Sequence, residues 1–133
     1  MLNLKNISLD VGLLILRLCF AGTMLVAHGL PKLMNFTTHS EKFPGLFGLP
    51  PFVAMSLATF AEFFCSALLV AGLLTRLATV PLIITMGVAF FIVHGADPFQ
   101  AKELSFLYGL SFLTIFFVGP GRISMDRLLF KTF

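Results

Sequence analysis

The sequence predicts an all-α fold, an integral membrane bundle of four transmembrane helices. Hydrophobic residues make up 58% of the 133-residue chain and charged residues only 11%, whereas a soluble domain carries about a quarter charged residues. Four apolar runs approach the length of about 20 residues that a helix needs to cross a bilayer. The composition argues against a soluble enzyme, a nucleic-acid-binding domain and a disordered chain, and the length fits one domain over residues 1–133.

The first half of the chain predicts two spans separated by a polar loop. The first span covers residues 11–30 and follows residues that favour the start of a helix. Residues 35–50 form the one sizeable loop, in which we expect His39 to be solvated. The second span covers residues 51–74 and begins at Pro51, a residue that suits the first position of a helix.

The second half predicts two further spans, both somewhat short. The third covers residues 77–93 and tolerates Pro81 because this proline lies near the start of the helix. Residues 95–98 form a turn, and the fourth span covers residues 103–118, closed by the Gly-Pro-Gly sequence at 119–121. None of these runs alternates apolar and polar residues, as the strands of an outer-membrane barrel do.

The basic residues predict the orientation of the chain. An even number of spans places both termini on one side of the membrane, and by the positive-inside rule the more basic side is cytoplasmic. Five basic residues fall on the side of the termini and three on the other, which predicts cytoplasmic N- and C-termini. These residues are Lys5, Arg76, Arg122, Arg127 and Lys131 on the first side and Lys32, Lys42 and Lys102 on the second. They form no dense patch, so we expect the lipid bilayer and no nucleic acid as a partner.

A series of short motifs runs through the chain in a fixed order. They are H-G-x-x-K at residues 28–32, G-L-P at 48–50, A-E at 61–62, G-L-L-T-R at 72–76, His94, and G-P-G-R-I-S-M-D at 119–126. Together they resemble the DoxX family over nearly the whole chain. The resemblance implies a small four-helix protein of the prokaryotic cytoplasmic membrane with a link to redox chemistry. Some family members are named as subunits of thiosulfate:quinone oxidoreductase, but membership does not transfer one reaction.

Two ionisable residues inside predicted spans, Arg17 and Glu62, form a candidate intramembrane ion pair. Such residues are costly in a membrane and usually face the interior of the protein. Ala58 and Ser66 flank Glu62 one turn away on each side, and small residues favour close helix contacts. Three interpretations stay open: a structural ion pair, a role in proton transfer or substrate binding, and independent snorkelling of Arg17 towards the surface.

Four polar residues are predicted near the outer ends of the spans and form a candidate ligand site: His28, Lys32, His94 and Glu103. Two histidines, an ammonium and a carboxylate suit binding of a quinone headgroup, passage of protons or capture of an anion. The alternative is that all four are ordinary polar ends of apolar helices. We expect no metal site, because the sequence lacks H-x-x-H and C-x-x-C spacings.

Three functions are consistent with the sequence. The first is a redox-linked, quinone- or proton-handling subunit of a membrane oxidoreductase complex. The second is a non-catalytic assembly partner or anchor, and the third is a binder of a lipid or another small hydrophobic molecule. The first two functions imply protein partners in a redox complex or a homo-oligomer. Cys65 is expected to serve packing rather than redox chemistry, and Cys19 is expected to point away from the polar face of the first span. Arg76 is expected to pair with Asp126 on the cytoplasmic side.

Overall fold

The computed structural model describes residues 4–42, 45 and 48–131, and its regular structure over those residues is helical. Four helices are long and apolar enough to cross a membrane, which confirms the predicted fold class. Two shorter helices lie between and after them. In chain order the six are α1 (Leu4–Met34), α2 (Phe36–Lys42), α3 (Pro51–Ala71), α4 (Thr75–Val93), α5 (Phe99–Val118) and α6 (Met125–Phe130).

The ends of the helices differ from the predicted ends for local reasons. α3 ends three residues early because Gly72 adopts a left-handed conformation with φ 72°, as glycines that follow a helix commonly do. α5 begins at Phe99, four residues early, directly after Pro98 in an extended conformation. α1 is longer than predicted at both ends and has 31 residues.

Four stretches of π-helix interrupt the spanning helices in the described part of the chain. They cover Arg17–Ala21 and Met24–Gly29 in α1, Phe60–Cys65 in α3 and Ala89–Val93 in α4. A π-helical turn holds an additional residue, so the side chains after it are rotated relative to an uninterrupted α-helix. The stretches contain Arg17, His28 and Glu62, and the last one ends just before His94. Such turns are frequent at functional sites.

The core lies between the four spanning helices. Its fully buried members include Met24 of α1, Leu69 of α3, Leu82 of α4, and Phe112 and Ile115 of α5. The outward surface is also apolar, with Phe91 75% exposed and Phe117 70% exposed. An apolar exterior around a packed interior fits a protein surrounded by lipid, because hydrocarbon is as apolar as the core.

Arg17 holds together the end of the molecule at which the two terminal segments meet, called the terminal end below. Its side chain is only 2% exposed. The guanidinium donates hydrogen bonds to the carbonyls of Pro120 at 2.6 Å and Ile123 at 2.9 Å, with a longer contact of 3.5 Å to Val70. Backbone carbonyls therefore take the place of the carboxylate that the sequence predicted.

Asp126 fastens the same end by capping α4. Its two carboxylate oxygens accept hydrogen bonds from the backbone N–H groups of Leu74 at 2.7 Å and Thr75 at 2.9 Å. A carboxylate at a helix N-terminus satisfies free N–H donors and interacts favourably with the helix dipole. The expected Arg76–Asp126 pair is wrong, because Arg76 donates to the Phe116 carbonyl at 3.0 Å instead. The G-L-L-T-R and G-P-G-R-I-S-M-D motifs thus meet in a structural contact.

Candidate functional site

The site begins where the backbones of α1 and α3 come close together, at Gly29 and Glu62. A Cβ added to Gly29 would clash with the backbone carbonyl of Glu62 and lie 2.8 Å from the Cα of Phe63. Only glycine allows the two backbones to come this close, as small residues do at helix contacts in membranes. The contact places the side chains that follow Gly29 on α1 beside the Glu62 carboxylate.

Lys32, one turn after Gly29, forms an ion pair with Glu62 through the Nζ and Oε2 atoms. The Glu62 side chain is 4% exposed and that of Lys32 is 22% exposed. A charged pair inside a span is expensive to desolvate, which makes these two residues candidates for a functional site. The partial exposure of Lys32 shows that the pair is not sealed in the core but borders a cavity.

His28 and Tyr108 form the next part of the site, where α1 meets α5. Their rings contact edge to face, with centroids 5.6 Å apart and an angle of 87° between the planes. Tyr108 is 4% exposed and also packs against Phe20 and Phe112. Because aromatic contacts on several sides fix the tyrosine ring, it holds the half-buried imidazole of His28 in place.

His94 lies just beyond α4, at the end of the molecule opposite Arg17, called the His94 end below. Its Nδ1 atom lies 2.9 Å from a carboxylate oxygen of Asp97, and both side chains are partly exposed. An Asp–His contact fixes the orientation of the ring. His94 therefore stands at the boundary between the site and the surface.

Two cavities meet at these residues. The larger has a volume of about 420 Å³ and is lined by Lys32, Leu49, Ala54, Leu57, Ala58, Glu62, Ile84, Thr85, Met86, Val88, Ala89, Val93 and His94. The smaller has a volume of about 210 Å³ and is lined by Met24, His28, Lys32, Glu62, Met86, Ala89, His94, Ala101, Leu104, Ser105 and Tyr108. Lys32, Glu62 and His94 line both, so the ion pair borders both cavities.

The depth of the site follows from the rise of 1.5 Å per residue along a helix. Glu62 lies eleven residues into α3, roughly 16 Å from the end at Pro51. Tyr108 lies nine residues into α5, roughly 14 Å from its start. Against a hydrocarbon core of about 30 Å, both lie near the middle of the membrane. The site thus extends from His94 at the surface to Glu62 at mid-depth.

The structure brings together three of the four residues of the predicted ligand site. His28, Lys32 and His94 line the smaller cavity, whereas Glu103 lines neither cavity and is exposed. Glu103 is exposed on α5, between Lys102 and Leu104. The carboxylate that lies beside Lys32 is that of Glu62. His28 also lies deeper than predicted, because it contacts Tyr108 at mid-depth.

The predicted ion pair between Arg17 and Glu62 is wrong. Arg17 binds carbonyls at the terminal end, and Glu62 pairs with Lys32 about halfway across the molecule. The helix contact with Glu62 lies at Gly29, twelve residues beyond Arg17 and roughly 18 Å further along α1, which places Arg17 out of reach of the carboxylate.

Tyr108 is the member of the site that the sequence interpretation missed. It is the one tyrosine of the chain, and it lies within an apolar span, where a buried hydroxyl needs a polar neighbour. A single tyrosine inside an apolar span is the feature of the sequence that could have identified it. In the part of the chain that the structure describes, no group of three or more His, Cys, Asp or Glu side chains is placed to hold a metal ion. His39 falls in α2, and its side chain lies outside the described features.

Fold and site together define a small α-helical, multi-pass membrane protein with ionisable residues buried between its helices. The chain belongs to the DoxX family, whose profile matches residues 12–95. This range includes the two histidines, the lysine and the glutamate that line the cavities: His28, Lys32, Glu62 and His94.

Similar proteins occur in two bacteria. An uncharacterized protein of Haemophilus influenzae is 32% identical over 115 residues, which cover 81% of this chain and 84% of the relative. A second uncharacterized protein of that organism is 28% identical and covers 98% of this chain and 91% of its own length. An uncharacterized membrane protein of Mycobacterium tuberculosis is 33% identical over 83% of this chain and 77% of the relative. The chain matches no solved structure.

Proposed function

We propose that this DoxX-family protein is a quinone- and proton-handling subunit of a membrane oxidoreductase complex. The observation that supports the proposal is the Lys32–Glu62 ion pair, which lies near the middle of the membrane on the wall of a 420 Å³ apolar cavity. Ligand sites are typically concave, mostly apolar and furnished with a few converging polar groups. A quinone has the matching form, a polar ring with two carbonyls on an apolar tail.

The side chains of the site supply what quinone reduction needs apart from electrons. Reduction of a quinone to a quinol takes two electrons and two protons, and the electrons come from a partner subunit of the oxidoreductase. The Lys32 ammonium donates a hydrogen bond to a quinone carbonyl and stabilises the negative charge that develops there. Glu62 and His28 are groups that take up and release protons beside it.

The orientation of the chain belongs to the same proposal. The excess of basic residues at the terminal end favours cytoplasmic termini, and Arg17, Arg76 and Arg122 all lie there. The site then occupies the outer half of the membrane, with His94 at the outer surface. A cysteine added after residue 133 would then resist labelling by an impermeant reagent in intact cells, and its labelling would contradict this orientation.

Direct binding of a short-chain quinone tests the function. The protein is reconstituted in lipid nanodiscs, and binding of decylubiquinone is measured by equilibrium dialysis. The double variant Lys32→Met/Glu62→Gln removes both charges without leaving one unpaired, and we expect it to bind at least about tenfold more weakly, which is the loss of about 1.4 kcal/mol. Glu103→Gln is the matched control, since this carboxylate lies outside both cavities, and it leaves binding unchanged.

Two results would contradict the proposal. If the native protein binds no quinone but captures a membrane partner at fixed stoichiometry, the non-catalytic anchor function is correct. If the double variant binds as well as the native protein, the quinone does not contact the ion pair.

A further inference from the structure

We propose that the Lys32–Glu62 ion pair is reached by two separate routes, one from the lipid and one from water. The larger cavity admits the lipophilic ligand from the bilayer, and the smaller cavity admits water and protons from the His94 end. The identity of the ligand rests on the function proposed above, whereas the existence of two routes rests on the cavities alone.

The larger cavity opens towards lipid between α3 and α4. Leu57 and Ile84 line it and are 57% and 61% exposed. They lie about 9 Å and 14 Å from the ends of their helices at the His94 end, which is the depth of the hydrocarbon. Nine of its thirteen lining residues are apolar, so the opening suits an isoprenoid or alkyl tail with its headgroup at Lys32.

The smaller cavity leads from the surface to the ion pair along α5. Ala101, Ser105 and Tyr108 follow one another along its wall, about 3, 9 and 14 Å from the start of the helix. Six of its eleven lining residues are polar, and these are His28, Lys32, Glu62, His94, Ser105 and Tyr108. A cavity of 210 Å³ with six polar lining residues has room for several water molecules, each of which needs two to four polar partners.

His94 lies on the wall between the two cavities, near the surface. It lines both cavities, and its contact with Asp97 keeps the ring at the mouth of the smaller one. The charged and titratable groups that face the ion pair are then His28 from α1 and His94 from the end of α4, with the Tyr108 hydroxyl on α5. Protons pass along this polar wall without crossing lipid, and the ligand exchanges without entering water.

Cysteine accessibility in proteoliposomes tests the two routes. Single cysteines are introduced as Ser105→Cys in the smaller cavity and Thr85→Cys in the larger one, in a background where Cys19 and Cys65 are replaced by alanine. Thr114→Cys is the lipid-facing control, because Thr114 is exposed on α5 and lines neither cavity. Ala101→Cys and Ala58→Cys serve as second variants of each cavity where the first folds poorly.

A charged methanethiosulfonate does not dissolve in hydrocarbon, so the rate at which it modifies a cysteine reports access from water. We expect it to modify Ser105→Cys roughly tenfold or more faster than Thr85→Cys and Thr114→Cys. An uncharged lipophilic maleimide is expected to modify Thr85→Cys, and decylubiquinone to slow that reaction without slowing the modification of Ser105→Cys.

Two outcomes overturn the two routes: equal modification of Thr85→Cys and Ser105→Cys by the charged reagent, or no modification of the cysteines at positions 105 and 101. Failure of decylubiquinone to protect Thr85→Cys, with the difference in access retained, supports the two routes and overturns quinone as the ligand.

Discussion

The energetic coupling between Lys32 and Glu62 is the sharpest test of the arrangement of the helices. Lys32→Met leaves the Glu62 carboxylate, 4% exposed, without its cation. In soluble proteins, removing one partner of a buried pair costs about 3–5 kcal/mol, and a charge at the centre of a spanning helix costs about 2.5–3.5 kcal/mol on insertion scales. Because Lys32 borders a cavity, we expect Lys32→Met to lower the free energy of unfolding by about 2–3 kcal/mol.

Adding Glu62→Gln to Lys32→Met removes the unpaired charge and should restore most of that loss. We expect the double variant to lie within about 1 kcal/mol of the native protein, which gives a coupling energy of about 2 kcal/mol. The measurement is reversible unfolding in bicelles for the native protein, both single variants and the double variant. The matched cycle pairs Arg17→Met with Glu62→Gln and should be additive, since these residues do not touch. Additivity within about 0.5 kcal/mol for the Lys32–Glu62 cycle would refute the contact.

Two further predictions concern the packing of the helices. Gly29→Ala places a Cβ against the backbone of Glu62 and should destabilise the protein by about 1–3 kcal/mol. The control is Gly22→Ala, which has nothing within 4 Å of the added Cβ and should be neutral or slightly stabilising. Equal effects of the two substitutions on unfolding in bicelles would contradict the close approach of the helices. Arg17→Met removes two good hydrogen bonds from a charged donor and should lower the free energy of unfolding by about 3 kcal/mol or more. The control is Arg122→Met, since the Arg122 side chain is 42% exposed and lies 3.8 Å from Asp10, and it should cost less than about 1 kcal/mol. A similar cost for the two substitutions would mean that Arg17 does not hold the terminal end together.

The number and type of the helices were predictable from the sequence because both follow from composition and run length. Four apolar runs in a chain with few charges leave little alternative to four spans. Their limits were less predictable, since Gly72 and Pro98 shift them by three or four residues. The additional length of α1 could not be predicted, because a polar segment lies between Leu4 and Ile7 and interrupts the apolar run, although the helix continues through it.

The site was predictable in its residues but not in its pairing. His28, Lys32 and His94 stood out as ionisable residues in or beside apolar runs, and the structure brings them to the same two cavities. Glu62 was recognised but given the wrong partner, because the sequence does not show at which level α1 contacts α3. The structure places this contact at Gly29, one turn before Lys32. No sequence rule locates the π-helical stretches, which change the rotation of the side chains along a helix.

The length of α1 has a consequence for the bilayers that this protein tolerates. Its 31 residues extend roughly 46 Å, and a tilt of about 40°, the upper end of the range for spanning helices, still leaves a projection of about 36 Å. Because Arg17 is fixed at the terminal end, the surplus lies in the residues before it. The stretch before Asp10 mixes polar and apolar side chains, with Lys5, Asn6 and Ser8 among its residues. Such an overhang lies in the headgroup region, where it adjusts to membranes of different thickness. The depth of Glu62 is set by the shorter helices and stays constant.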